Sequence, residues 1–193
     1  VGLAQDLAEL MAMHREPRVR ALLVDDYPFE QEAVSRFFLQ RMQVIYREHE
    51  GLGIWHAERR DPASGRWLFC GWFNLMPMPD DPGRVEIGCR LMPDAWGHGL
   101  AVEGGDLLLA QAFTSLQLPA VWGICHPEHH AVHAVLDALG FAGQGVLDYC
   151  GQPAAHFAAQ PAAWQAAAAL PMRERLRQAV ARQRSRRRPR VRS

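Results

Sequence analysis

Apolar residues recur at spacings of three and four through Leu3, Leu7, Leu10 and Met11, the period of one buried helix face. That spacing predicts a helix over 3–13, ended by Pro17, because the residue before a proline is pushed out of helical geometry. Phe29, Ala33, Phe37, Phe38, Met42 and Ile45 predict a second amphipathic helix over 29–48, after the breaker Asp25-Asp26-Tyr27-Pro28. The pattern then changes to short aromatic and apolar runs. Strands are expected over 53–60 and 67–75, joined as a hairpin through the turn-forming Asp61-Pro62-Ala63-Ser64-Gly65. Residues 77–83 read as a loop and 85–92 as a third strand. A glycine loop leads into a helix over 100–116, followed by a strand over 120–125. A short helix over 129–139 is stopped by Gly140, and 146–149 with 154–158 read as a closing pair of strands. Residues 162–169 are alanine-rich, and 172–184 carry a helical pattern that should fray into the Arg-rich end.

Two helices, three strands, helix, strand, helix and two strands make a mixed α/β order. It predicts a largely antiparallel sheet interrupted by a helix crossover. A chain of 193 residues suits one domain with a buried core. No apolar run approaches the roughly 20 residues that span a bilayer. The chain opens on Val1 without a basic stretch followed by an apolar core, so a cytoplasmic protein is expected.

The formal net charge of +0 hides an asymmetry. Every basic side chain is Arg and none is Lys. From Arg173 to Ser193 there are 10 Arg and one acid, a net +9, which leaves −9 on the residues before them. Such a tail suits nucleic acid, a membrane surface or the acidic body itself, or else a solvated extension. The expected division is a folded domain over 1–166 and a flexible Ala- and Arg-rich extension over 167–193.

Cys70, Cys89, Cys125 and Cys150 are widely spaced and read as free thiols, three of them within strand-like runs, with none at an obvious nucleophile position. His126, His129, His130 and His133 form a cluster in which His129 and His133 share a helix face, but only Glu128 adds a further ligand type, so no metal is expected. Trp55, Trp67, Trp72 and Phe73 read as sheet packing. Gly104-Gly105 inside a helix costs about 1 kcal/mol per residue against Ala, which points to close packing there or to a neutral accident.

The strongest local signal is the strand 85–92, then Pro93-Asp94-Ala95-Trp96-Gly97-His98-Gly99, then the helix from Leu100. A helix start offers unpaired N–H groups and partial positive charge, and glycines let backbone close around a phosphate. Such a loop predicts an anion site. It is not a P-loop, since no Gly-Lys-Ser/Thr follows, and no βαβ repeat surrounds it as a dinucleotide fold would need.

Val85-Glu86-Ile87-Gly88, Pro93, Trp96-Gly97-His98-Gly99-Leu100-Ala101-Val102-Glu103, Ala112-Phe113 and Val135-Leu136-Asp137-Ala138-Leu139-Gly140-Phe141 together resemble the core of GNAT acetyltransferases. The likeness is to the branch of the ribosomal-protein acetylases RimJ and RimL in particular, and it extends more weakly over 3–164. It implies acetyl-CoA as cosubstrate and a V-shaped splay between two central strands. The strand end at Leu91-Met92 would line the pantetheine arm. Trp96, with the amides of Gly97, His98, Gly99, Leu100 and Ala101, would hold the pyrophosphate. An amine would attack the thioester directly, and a homodimer is the assembly the resemblance suggests. The family commonly opens with a strand before the first helix; this sequence begins at that helix, so the strand is expected either to be missing from it or to be made some other way.

Removing a proton from the ammonium needs a base, and the leaving thiolate can use an acid. Glu86 on the cleft strand is the candidate base, against an outward-facing strand carboxylate. Glu103 in the first helical turn reads as a favourable partner of the helix dipole. Where the family has Gln or Arg to open the loop this chain has Asp94. Where it has Asn and then Ser it has His129 and Val132, and where relatives carry an acidic Tyr it has Leu136. His129 is kept with the cofactor-binding set, and Tyr149 and His126 are the substitutes for the acid. The acceptor would be a protein N-terminus, a side-chain amine or a small amine. The alternatives are a non-catalytic acyl-CoA-binding module and a nucleic-acid-associated protein acting through the Arg tail.

Overall fold

The alternating runs after Gly53 pair into one six-stranded sheet of order β1-β2-β3-β4-β6-β5. Its strands are β1 (Gly53–Arg60), β2 (Trp67–Met78), β3 (Asp81–Leu91), β4 (Val121–Cys125), β5 (Ala142–Tyr149) and β6 (Gln152–Ala159). This computed structural model describes residues 3–25, 27–79, 81–149 and 151–187. The expectation for Cys150 lies outside them, as does the end of the Arg-rich tail. All strand pairs are antiparallel except β3 with β4. The helices are α1 (Leu3–Arg15), α2 (Pro17–Arg20), α3 (Glu32–Glu48), α4 (Leu100–Ala110), α5 (His130–Ala138), α6 (Pro161–Ala168) and α7 (Met172–Arg187).

Strand parity decides which helices cover which face. Val85 and Ile87 of β3 enter a core with Val102 and Leu109 of α4, Leu136 of α5 and Leu139 at its C-cap. Trp72 and Ile54 enter a second core, with Leu10 and Met13 of α1 and Leu39 and Met42 of α3. The sheet is therefore sandwiched between two helical layers. The GNAT fold expected from the sequence is the fold observed.

The parallel contact is short. β3 meets β4 only at Glu86↔Trp122 and Ile87↔Gly123. Beyond it, Gly88–Leu91 stays on β2 and Ile124–Cys125 stays on β6, so the strands part into a V. Gly71 keeps the far half of β3 close to β2: a Cβ there would lie 2.0 Å from the Arg90 carbonyl oxygen.

Two local expectations need correction. Residues 77–83 are not an open loop, because β2 and β3 continue to Met78 and from Asp81 in a tight hairpin. The hairpin aromatics are not all packed: Trp72 is buried, but Trp55 is 39% and Trp67 63% exposed. β1 is the sheet edge, where the α4 layer does not reach, and Trp67 opens β2 at the hairpin turn.

The Gly104-Gly105 pair has a packing reason. A Cβ on Gly104 would meet Phe73 at 2.3 Å, and one on Gly105 would meet Leu139 at 2.6 Å. These glycines let α4 sit against both the sheet and α5. Gly140 closes α5 at φ +87, with Phe141 N–H on the Leu136 carbonyl at 2.9 Å and Gly140 N–H on that of Asp137 at 3.2 Å, a Schellman cap.

The start of the Arg-rich region is helical and seated on the body. Ala179 of α7 is fully buried in the core under α4 and α5. Arg175 pairs with Asp106 at 2.5 Å, and Arg182 with Asp137 at 2.8 Å. Part of the basic segment is thus matched to the acidic body, one of the partners its charge suited. Among the described residues no helix is long and apolar enough to cross a membrane.

Candidate active site

The V between β3 and β4 opens a cavity of about 190 Å³ that runs through the sheet. One side is walled by Leu22, Leu23, Val24 and Asp25 from the connector after α2, and the other by residues of α4 and α5, including Ala101, Val132 and Leu136. Glu86, His129 and Tyr149 all line it.

Glu86 is the central group. Parity places it on the α1/α3 face, opposite to its neighbours Val85 and Ile87. The alternative of an outward-facing carboxylate fails, since Glu86 faces the cavity. Burial, then the Asp25 charge, pushes its carboxyl up to about 7, with Arg90 pulling the other way. A base with that pKa is half ionised near neutrality, where a proton acceptor works best.

Arg90 ties α1 and the connector after α2 to β3. It donates to Asp25 Oδ2 and, at 2.5 Å, to His14 Nε2, while His14 Nδ1 donates to the Leu10 carbonyl at 2.8 Å. Burial and the Arg90 charge bring His14 down to about 4, so it stays neutral and accepts from the guanidinium. Asp25 was visible in the sequence only as part of a breaker. Its role depends on Arg90, far along the chain, and no local pattern signals it.

The glycine loop stands as the sequence indicated. Gly97 has φ +80 and Gly99 φ +82, conformations that disfavour a Cβ. Gly99 caps α4, and the Val102 and Glu103 amides return to its carbonyl at 3.0 Å each. The two glycines differ in surroundings. Nothing lies within 4 Å of where a Gly97 Cβ would stand, whereas one on Gly99 would meet Met172 of α7 at 2.9 Å. Open space beside Gly97 at a helix start fits a phosphate. Asp94 does not spoil the site electrostatically, because Arg59 holds its carboxylate at 3.0 Å. Trp96 is anchored by its indole N–H on the Leu91 carbonyl at 2.8 Å.

Not every expected residue reaches the cavity wall. Of the cofactor set, Ala101 and His129 line it. Leu91 and Met92 lie beyond it, Leu91 buried and Met92 tied by its amide to the Cys70 carbonyl at 2.9 Å. Trp96–Gly99 form the neighbouring loop, and Leu100 opens α4. His126 is not among the lining residues, and its Nδ1 instead accepts from the Glu128 amide at 3.2 Å in the turn before α5. His129 stays below its ordinary pKa through burial and then the neighbouring His133 and His126, which disfavours it as a cationic phosphate partner. Val132 and Leu136 present only apolar surface, and Tyr149 is the one hydroxyl-bearing residue among those lining the cavity.

Cys89 and Cys125 line the cavity. Burial pushes both thiols up to about 12, so neither is a thiolate near neutrality. The three described cysteines are free. Among the described residues one trio has metal-compatible spacing, Asp6, Glu9 and His56. It lies outside the histidine cluster, and His56 is engaged there with Glu9 at 3.1 Å.

Comparison with known proteins agrees with this geometry. An acetyltransferase (GNAT) domain model matches residues 3–142. The chain is similar to the Bacillus subtilis N-acetyltransferase YoaA, at 26% identity over 61% of this chain and 62% of that one. It is also similar to the FsC-acetyl coenzyme A-N(2)-transacetylase of Aspergillus fumigatus, at 34% over 67% of this chain and 55% of that one. It therefore spans somewhat over half the length of these relatives. In fold it resembles Mycobacterium smegmatis RimJ in complex with CoA-disulfide, with TM-score 0.65, 17% identity and coverage of 91% and 85%. It also resembles AAC(6')-Ib in complex with ribostamycin and coenzyme A, with TM-score 0.66, 17% identity and coverage of 83% and 90%. The splayed sheet, the glycine loop at the start of α4 and the match over 3–142 make this chain a member of the GNAT acetyltransferase family.

Proposed function

We propose that the protein transfers acetyl from acetyl-CoA directly to a primary amine, with Glu86 as general base. The observation that carries this is the Glu86 carboxylate at the mouth of the splay, facing the cavity and holding a pKa of about 7. The cofactor's pyrophosphate would rest on the amides of Gly97–Ala101, beside the open face of Gly97, and its thioester would enter the V. Acetyl-CoA supplies an activated carbonyl. Glu86 takes a proton from the substrate ammonium, directly or through water. The freed nitrogen pair forms the N–C bond, the C–S bond breaks, and the thiolate leaves with its electrons. Tyr149, which lines the same cavity, would return a proton to that sulfur. The protonated state of Cys89 and Cys125 supports direct transfer over an acyl-enzyme.

Placement in the RimJ and RimL branch rests on Trp96–Glu103 and Val135–Phe141 together with the RimJ likeness. A cytoplasmic setting rests on the free thiols. The apolar Val132 and Leu136 favour one second reading, a module that binds acyl-CoA without turnover.

Calorimetric titration of acetyl-CoA into the wild type and a Gly97→Glu variant, followed by release of free CoA thiol with amines, tests both readings. Micromolar binding lost in the variant, with turnover lost in Glu86→Gln, is expected. Binding without turnover of any amine selects the binding module, and a folded wild type that does not bind removes both.

A further inference from the structure

The arginines of α7 divide between opposite sides of the helix. At about 100° per residue, Arg173, Arg177 and Arg184 fall within about 40° of one another, while Arg175 and Arg182 fall roughly opposite them. The second pair faces the body, where Asp106 and Asp137 neutralise it. The first three are exposed. Among the described residues Arg173 and Arg184 have no ion-pair partner. Arg177 reaches only Glu174 of its own helix, at 3.9 Å, with its side chain 79% exposed. Arg177 and Arg184 line one open groove with Val180 and Ala181 between them. In sequence the charge continues, with 10 Arg and one acid from Arg173 to Ser193.

We propose that the outward stripe Arg173, Arg177 and Arg184, with the arginines that follow it in sequence, is a docking surface for nucleic acid, gripped through its phosphates. A guanidinium presents paired N–H donors that match phosphate oxygens. Neutralising a row of phosphates also releases their condensed counterions, which drives binding without any reading of base sequence. The stripe lies away from the cavity between β3 and β4, so this surface is independent of the acetyltransferase reading.

The apolar side of α7 decides the kind of partner. Met172, Leu176 and Ala179 pack on the core, and no aromatic residue follows Trp164. A protein interface centres on apolar or aromatic anchors, and a helix lying in a bilayer surface turns an apolar face to the lipid. The apolar face of α7 is already turned to the body, which leaves a row of cations outward. The residues before Arg173 carry a net −9 and repel a polyanion, so its contacts are confined to α7 and the residues after it.

The test follows the anisotropy of a fluorescein-labelled DNA duplex of about 20 base pairs, of arbitrary sequence, as the full chain is added at several salt concentrations. The wild type is expected to bind with a Kd on the order of 10 μM near 0.15 M salt, and more tightly as salt falls. The triple variant Arg173→Gln, Arg177→Gln and Arg184→Gln should bind at least about tenfold more weakly, with a log–log salt slope smaller by about two to three. A control triple, Arg15→Gln, Arg41→Gln and Arg47→Gln, removes the same charge from exposed positions on α1 and α3 and should leave the slope where it is. No binding by the wild type, equal losses in the two triples, or displacement of the duplex by phosphatidylserine vesicles would each overturn the proposal. Should the stripe variant not fold, phenylglyoxal labelling of the wild type decides: the duplex should shield Arg173, Arg177 and Arg184 but not Arg41, and an unshielded stripe would overturn the proposal as well. Acetyl-CoA binding by the same protein is a separate result, which bears only on the acetyltransferase reading.

Discussion

Replacing Glu86 with Gln should change the pH dependence of stability in a direction and amount set by the site. Glu86 has an ordinary carboxyl value of 4.5 when the chain is unfolded and about 7 when folded. Between those values the folded protein holds a proton that the unfolded chain has released. Stability contributed by this group is therefore complete below about pH 4.5 and is lost as pH rises through about 7. A shift of this size is worth about 3 kcal/mol, or roughly 6–12 °C in Tm for a chain of this length. Gln keeps the shape and cannot titrate, so the variant should gain about 3 kcal/mol on the wild type between pH 4.5 and about pH 8. The buried histidines act oppositely: His14 is held at about 4, below its ordinary 6.5, and contributes stability that is lost on acidification. Because both proteins share those groups, the difference between their curves isolates Glu86. Urea unfolding of both proteins across that range measures it. Parallel curves would refute a buried, charge-repelled Glu86, and with it the reason for naming it the base.

Gly97→Glu puts a Cβ at φ +80 and a negative charge at the α4 start, and should abolish acetyl-CoA binding while costing the fold only about 1–2 kcal/mol; calorimetry and thermal melts check both halves. Asp106→Ala strands Arg175, whose side chain is 7% exposed, and should destabilise the protein by about 3 kcal/mol, seen as a lower urea midpoint. Cys89 and Cys125, with thiols pushed up to about 12, should resist alkylation at neutral pH until the protein is unfolded, which mass spectrometry of labelled peptides reads directly.

Apart from the short α2 that begins at Pro17, the sequence by itself determined the element order, the central helix behind its glycine loop and the cap at Gly140. Each of these is a local matter: apolar periodicity selects helix or strand, and glycine tolerates left-handed backbone that other residues resist. It also determined that Glu86 lies on a strand beside that loop. Only the tertiary structure decided what Glu86 faces, because a strand residue points to one of two faces and the choice depends on which helices cover them. The same holds for Asp25, a breaker residue until Arg90 of β3 reaches it, and for Cys89 and Cys125, brought to the cavity by the splay. His126 was read as a substitute acid and His129 as a cofactor contact, yet one turn placed His129 on the cavity wall and tied His126 to the Glu128 amide. Composition described the Arg-rich segment as tail. The pairings of Arg175 with Asp106 and Arg182 with Asp137, 69 and 45 residues apart, draw α7 onto the body, because contact between distant residues depends on packing that no local pattern encodes.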